Sequence, residues 1–288
     1  MGFDVHLVDG TYELFRYHYS PANKDPDLGA TRGVVGSCLM LLEQGASHVG
    51  VATDHVIESF RNDLWPTYKD GSGVDPQLKA QFPLVEDALR AAGFTVWAMV
   101  EQEADDALAA AAAVADADPE VERVVICTPD KDLGQSVGGK VWQWDRRQDK
   151  WFDAAGVHER LGVPPASVPD LLALVGDTAD GFPGLPGWGA KSAAAVLDRW
   201  GHLEQIPEDP TTWDAGVRGA AQLNATLRER FQEALLFRRI ATVEIDAEVG
   251  AVEDWRWTGP TDGFAAVAEA IGDPRLADRA ARLAERRS

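Results

Sequence analysis

Positive charge is scarce in this chain of 288 residues. Its 27 Lys and Arg stand against 47 Asp and Glu, for a formal net charge of −20. Taken alone, that balance argues against a polyanionic partner, because phosphate binding favours a basic surface. Cysteine is nearly absent. Cys38 and Cys127 are the only two and stand at no metal-ligand spacing, so a reduced, cytoplasmic protein is the simplest expectation. No apolar run approaches the roughly 18 residues that span a bilayer, so no membrane partner is expected. The opening residues, Met1 to His6, lack the basic-then-apolar order of a signal peptide. They also lack the Ser or Thr at position 6 that a myristoylation signal needs. What is present is ordinary globular composition, 45% hydrophobic and 26% charged, with length for one large domain or a core and a smaller one.

The first half alternates short apolar runs with helical patterns. Strands are expected at Val5–Val8, Val49–Ala52, Phe94–Val100 and Val124–Cys127, and helices at Val34–Leu42, Leu84–Ala92 and Ala104–Ala115. That order predicts an α/β fold with a mostly parallel sheet covered by helices. Val141–Asp145 and Lys150–Asp153 flank a polar turn and read as a hairpin. After about residue 165 the pattern turns helical: Leu171–Gly176, Ala190–Trp200 and Leu223–Arg239, with Gly/Pro punctuation over Gly181–Gly189. The tail from Ala241 holds one strand-like stretch and then short helices at Phe264–Ile271 and Leu276–Glu285.

The acids stand at telling places. Asp9, Asp54 and Asp130 each follow an expected strand, and Glu103 follows another, at the edge where open α/β sheets gather ligands. Glu103-Ala104-Asp105-Asp106 opens a helix, where capping is an equally good account. Asp130-Lys131-Asp132 has an Asx turn as its plain alternative. Asp177 and Asp180 sit at the end of an apolar helix, where the helix dipole disfavours acids. Convergent carboxylates suit Mg²⁺ or Mn²⁺, and two such ions can drive phosphodiester hydrolysis. Bound cations reverse the local field. The charge of −20 therefore has two readings: an acidic protein without polyanionic partners, or one whose acids converge on metals.

The motifs resemble the 5′-nuclease superfamily of bacterial flap endonucleases and the 5′→3′ exonuclease domain of DNA polymerase I. The matching stretches are Leu7-Val8-Asp9-Gly10 with Leu14-Phe15-Arg16, then Phe60-Arg61 through Tyr68-Lys69, and Glu103 to Asp106. Thr128 to Leu133, Leu174 to Asp180 and Pro183 to Lys191 complete the set. The resemblance implies a PIN-like α/β core and a helix-hairpin-helix (H3TH) region. It implies metal ligands Glu103, Asp105, Asp130 and Asp132 at one ion and Asp177 and Asp180 at a second. Asp9, Asp54 and Asp106 would act directly or through metal-bound water. Lys69 would contact the scissile phosphate. Gly187, Gly189 and Lys191 would touch DNA, as would Arg61 unless it holds a structural carboxylate instead, and the Gly184–Lys191 loop would also hold K⁺. The expected divisions are 1–165 for the core, with an arch segment at about 70–84, then 166–240 for the helical region and 241–288 for a segment returning to the core.

The resemblance implies cleavage of DNA with a free 5′ end (a flap, a nick or a duplex terminus), leaving 5′-phosphate and 3′-hydroxyl ends. An RNA primer is a further expected substrate, replication or repair proteins are possible partners, and the chain reads as a stand-alone nuclease. Two rivals are a PIN-like ribonuclease and a non-catalytic DNA-binding module. The chain departs from the family at Ser72, where an Arg usually follows three residues after the conserved lysine. Arg218, Arg228, Arg230, Arg238 and Arg239 read equally as a basic face or a solvated helix surface. Trp142, Trp144 and Trp151 read as packing on the sheet more readily than as a base-stacking platform.

Overall fold

A computed structural model describes residues 2–213 and 216–287. The chain opens with β1 (Phe3–Asp9), α1 (Gly10–His18), α2 (Gly29–Glu43) and β2 (His48–Asp54). Then come α3 (Phe60–Leu64), α4 (Pro76–Lys79), α5 (Gln81–Ala91), β3 (Thr95–Met99), α6 (Ala104–Ala117) and β4 (Val121–Cys127). The hairpin strands β5 (Val141–Asp145) and β6 (Lys150–Phe152) lead to α7 (Ala154–Leu161), α8 (Val168–Val175) and α9 (Ala190–Trp200). The chain ends with α10 (Ala220–Glu229), α11 (Phe231–Ala241), α12 (Phe264–Ala270) and α13 (Arg275–Glu285). Among the described residues no helix is long and apolar enough to cross a membrane.

Contacts divide the chain into two units: residues 1–57, 71–128 and 244–288, and residues 58–70 and 129–243. The sequence reading placed everything up to 165 in one core. By contacts, 58–70 and 129–165 group with the helical region, and α3 packs on α11. That pairing is long-range and leaves no local trace in the sequence.

In the first unit, β1 to β4 run parallel in the order β3-β2-β1-β4. Val5, Leu7, Val8, Val49, Val51 and Ala52 have no exposed surface, as expected of strands covered on both faces. Gly50 is needed on β2: a Cβ there would lie 2.1 Å from the Trp97 ring on β3. The Ala-rich α6 buries Ala104, Ala107 and Ala109–Ala112, and its small side chains let it pack on all four strands. Residues 71–80, expected to begin an arch, form one 3₁₀ turn and the four-residue α4. Leu78 is fully buried there, and Asp75 Oδ2 lies 3.4 Å from His18 Nε2. The tail stretch read as strand-like forms no strand among the described residues; an isolated bridge joins Arg256 to His48.

In the second unit, α8 packs against α9 and α11 over a core of Leu171, Leu172, Leu174, Phe182 and Phe237. The single helix expected over Leu223–Arg239 is two. Arg230, at φ −113° and ψ 26°, breaks it without any Gly or Pro. The antiparallel pair β5–β6 stacks Trp144 on Trp151 at 4.6 Å between ring centroids.

Candidate active site

Parallel strands carry their carboxyl ends to the same edge, so in the first unit the acids after β1 and β2 are neighbours by construction. Asp9 caps α1: its Oδ1 accepts from Tyr12 N at 2.8 Å, and its Oδ2 accepts from the Thr128 hydroxyl at 2.8 Å. Asp54 Oδ1 accepts from Ala104 N at 2.7 Å, which ties the end of β2 to the start of α6 beside Glu103 and Asp105. Glu103 is buried and Asp105 half-buried. Asp106 has no exposed surface, and its oxygens accept from the backbone N–H of Glu103 (2.9 Å) and Glu244 (2.8 Å). Both Asp106 oxygens thus accept from the backbone, in the manner of a helix cap.

In the second unit, one carboxylate oxygen each from Asp132, Asp177 and Asp180 lies within 4.8 Å of the others. Asp132 follows the Asx turn in which Asp130 Oδ1 accepts from Asp132 N at 2.9 Å. Asp177 Oδ1 accepts from Ala179 N at 2.8 Å, which holds the turn after α8. Asp132 is buried, and its Oδ1 has no hydrogen-bond donor. Burial and the nearby charge of Asp130, opposed by Lys131 and reinforced by Asp180 and Asp177, push the Asp132 carboxyl above its ordinary value. An orphaned buried oxygen and mutually repelling carboxylates fit a hard divalent cation, which would satisfy the one and relieve the other. Burial opposes ionisation of Asp177 as well, but the Lys131 ammonium outweighs it and holds that carboxyl below the usual range.

Lys69 belongs to the same unit. Its Nζ is 3.1 Å from Asp180 Oδ1, and its backbone N–H donates to Asp180 O at 2.9 Å. Arg61 is placed otherwise than expected. It is 3% exposed, and its guanidinium donates to the carbonyls of Ile240 (2.8 Å) and Thr242 (3.1 Å). The side chain fastens α3 to the end of α11. The loop between α8 and α9 depends on close backbone approach. Gly184 has φ +67°, and a Cβ there would lie 2.3 Å from Gly176 N. Gly187 has φ +83°, while Gly189 and Lys191 at the start of α9 are exposed. The arginines read as a possible basic face are largely engaged. Arg238 bonds Asp170 and Glu204, Arg230 bonds Glu233, and Arg228 donates to Asn224.

Sequence reasoning missed Lys131, whose Nζ contacts both Asp177 Oδ2 and Asp132 Oδ1. Its position inside Asp130-Lys131-Asp132 was the available signal. It also missed Thr128, which fixes Asp9 through a hydroxyl two residues before Asp130.

Convergent carboxylates without thiols suit hard-cation chemistry on phosphate esters. Residues 4–162 match the 5′-3′ exonuclease N-terminal resolvase-like domain, and residues 163–262 match the 5′-3′ exonuclease C-terminal SAM fold. The chain belongs to the 5′-3′ exonuclease family. DNA polymerase I of Pseudomonas aeruginosa is 33% identical over 279 residues, which cover 91% of this chain and 29% of that protein. The chain thus spans under a third of that relative. A 5′-3′ exonuclease of Buchnera aphidicola subsp. Baizongia pistaciae is 29% identical over 250 residues, covering 84% of this chain and 82% of its own. In fold, the chain is similar to the bacteriophage T5 D15 flap endonuclease in complex with DNA and metal ions. The TM-score is 0.65 at 19% identity, over 98% of each chain.

Proposed function

We propose that this chain is a metal-dependent 5′→3′ exonuclease and flap endonuclease that hydrolyses DNA phosphodiesters near free 5′ ends. The observation that carries the reading is the carboxylate cluster of Asp132, Asp177 and Asp180, with a buried oxygen lacking a donor. Asp132, Asp177 and Asp180, with Asp130 beside them, are the residues that would hold Mg²⁺ or Mn²⁺. Glu103 and Asp105 of the first unit are proposed as further metal ligands, and Asp9 and Asp54 to act through bound water. Two such ions, when bound, supply an activated water and stabilise the leaving oxygen. Lys69 presents a point charge suited to a phosphate oxygen as negative charge develops. The glycines at 187 and 189 let backbone N–H groups approach the phosphates, with Lys191 adding charge. The same loop is proposed to take K⁺ on its carbonyls.

DNA as substrate is supported by family membership and by the likeness to a flap endonuclease whose structure contains DNA. An RNA primer as substrate and replication or repair partners remain within the proposal. So does a cytoplasmic location, which fits the free, buried thiols Cys38 and Cys127. The decisive experiment uses 5′-labelled and 3′-labelled flap DNA with Mg²⁺ or Mn²⁺. Wild type should cut near the 5′ end, and the double variant Asp130→Asn, Asp132→Asn should cut at least about a thousandfold more slowly, several kcal/mol of barrier. Cleavage surviving the double change would sink the site assignment. Cleavage of structured RNA in preference to the flap would favour a ribonuclease.

A further inference from the structure

Lys131 stands between two of the acids that the proposed function assigns to metal. Its ammonium is bonded to Asp177 Oδ2 and lies 3.2 Å from Asp132 Oδ1. The contact with Asp132 is an ion pair without hydrogen-bond alignment, since that oxygen has no donor. Lys69 differs: its ammonium pairs with Asp180, the third acid of the cluster. Lys131 thus occupies the space between carboxylates that the cluster offers to a cation. Three carboxylates this close repel one another, with the fourth charge of Asp130 two residues away. An internal ammonium offsets that repulsion while the cluster holds no metal. The side chain is 40% exposed. It therefore has a path to solvent along a flexible stem, as a displaceable occupant must.

We propose that Lys131 is a built-in counterion of this cluster, bridging Asp132 and Asp177 in the metal-free protein and leaving when a divalent cation binds. The inference rests on the metal reading of the cluster given above, and it adds a competitor to it. A single positive charge on a tether neutralises the acids only in part, so a divalent ion displaces it. The tether makes its local concentration high, so it sets a threshold of free metal below which the cluster stays closed. Lys131 is a positioning residue: it acts on the carboxylates rather than on substrate.

The test uses the full chain, stripped of metal by chelation and then titrated with Mn²⁺ in the absence of DNA. Calorimetry should show Lys131→Met binding Mn²⁺ about tenfold more tightly than wild type. That is the factor gained by removing a competitor seated about nine-tenths of the time. In chelator, Lys131→Met should melt below wild type, and saturating Mn²⁺ should close the gap. Lys131→Arg should keep the metal-free stability. A second measurement needs no variant: reductive methylation of wild type, read by mass spectrometry, should label Lys131 more with Mn²⁺ than in chelator. Equal or weaker Mn²⁺ affinity in Lys131→Met would overturn the counterion, as would unchanged labelling in wild type. Absence of any Mn²⁺ binding to wild type would remove the metal reading as well, so the two failures are separable.

Discussion

Arg61 and Lys131 show how little a residue type says about its task. Both are cations near acids in sequence, and both invite assignment to phosphate. The Arg61 guanidinium is sealed against the carbonyls of Ile240 and Thr242, with Phe60 under it at 4.6 Å. Arg61→Ala should therefore cost about 3 kcal/mol of stability, since charged hydrogen bonds are lost and buried carbonyls are left without donors. DNA affinity, measured below the lowered melting temperature, should be unchanged. A loss of affinity without loss of stability would favour the DNA-contact reading. Asp106 teaches the same point for acids. It lies one residue from Asp105, yet the first is fully buried on backbone amides and the second half-buried.

At the scale of elements, the joints of the helical unit are polar. Asp170 on α8 is 2% exposed and receives Arg238 of α11 at 2.9 Å and Leu203 N at 3.1 Å. His202 Nδ1 is also 2.9 Å from it. Asp170→Asn would leave that arginine without its buried partner charge. A loss of about 3 kcal/mol is expected, read as a lower denaturant midpoint; an unchanged midpoint would show that Glu204 alone suffices for Arg238. The segment after Lys69 is the other element of interest. Ser72 is exposed in a single 3₁₀ turn at a position where the family usually carries Arg. Ser72→Arg should tighten DNA binding or raise the cleavage rate several-fold, an added phosphate contact contributing on the order of 1 kcal/mol. No change in either would make the position irrelevant.

For the whole molecule the governing number is the net charge of −20. A polyanion that must meet DNA depends on bound cations to change the sign of the field where the two touch. DNA affinity at constant ionic strength should then rise at least about tenfold when chelator is replaced by Ca²⁺. Fluorescence anisotropy of a labelled flap would report it. Equal affinity in the two conditions would show that the acids do not gate the encounter.

The sequence by itself determined the elements and the places of the acids. The buried runs that became β1, β2 and β4 are continuous and apolar, and Asp9 and Asp54 terminate their strands, because strand and turn preferences are local properties. Local pattern failed where it was weak or ambiguous. The break at Arg230 lacks a Gly or Pro. Only the tertiary structure decided which charges meet. Grouping 58–70 with the helical unit, sealing Arg61, turning Asp106 into a cap and seating Lys131 between Asp132 and Asp177 all depend on packing. An ionised side chain takes its role from the partner within a few ångströms, and outside its own turn that partner is chosen by the fold.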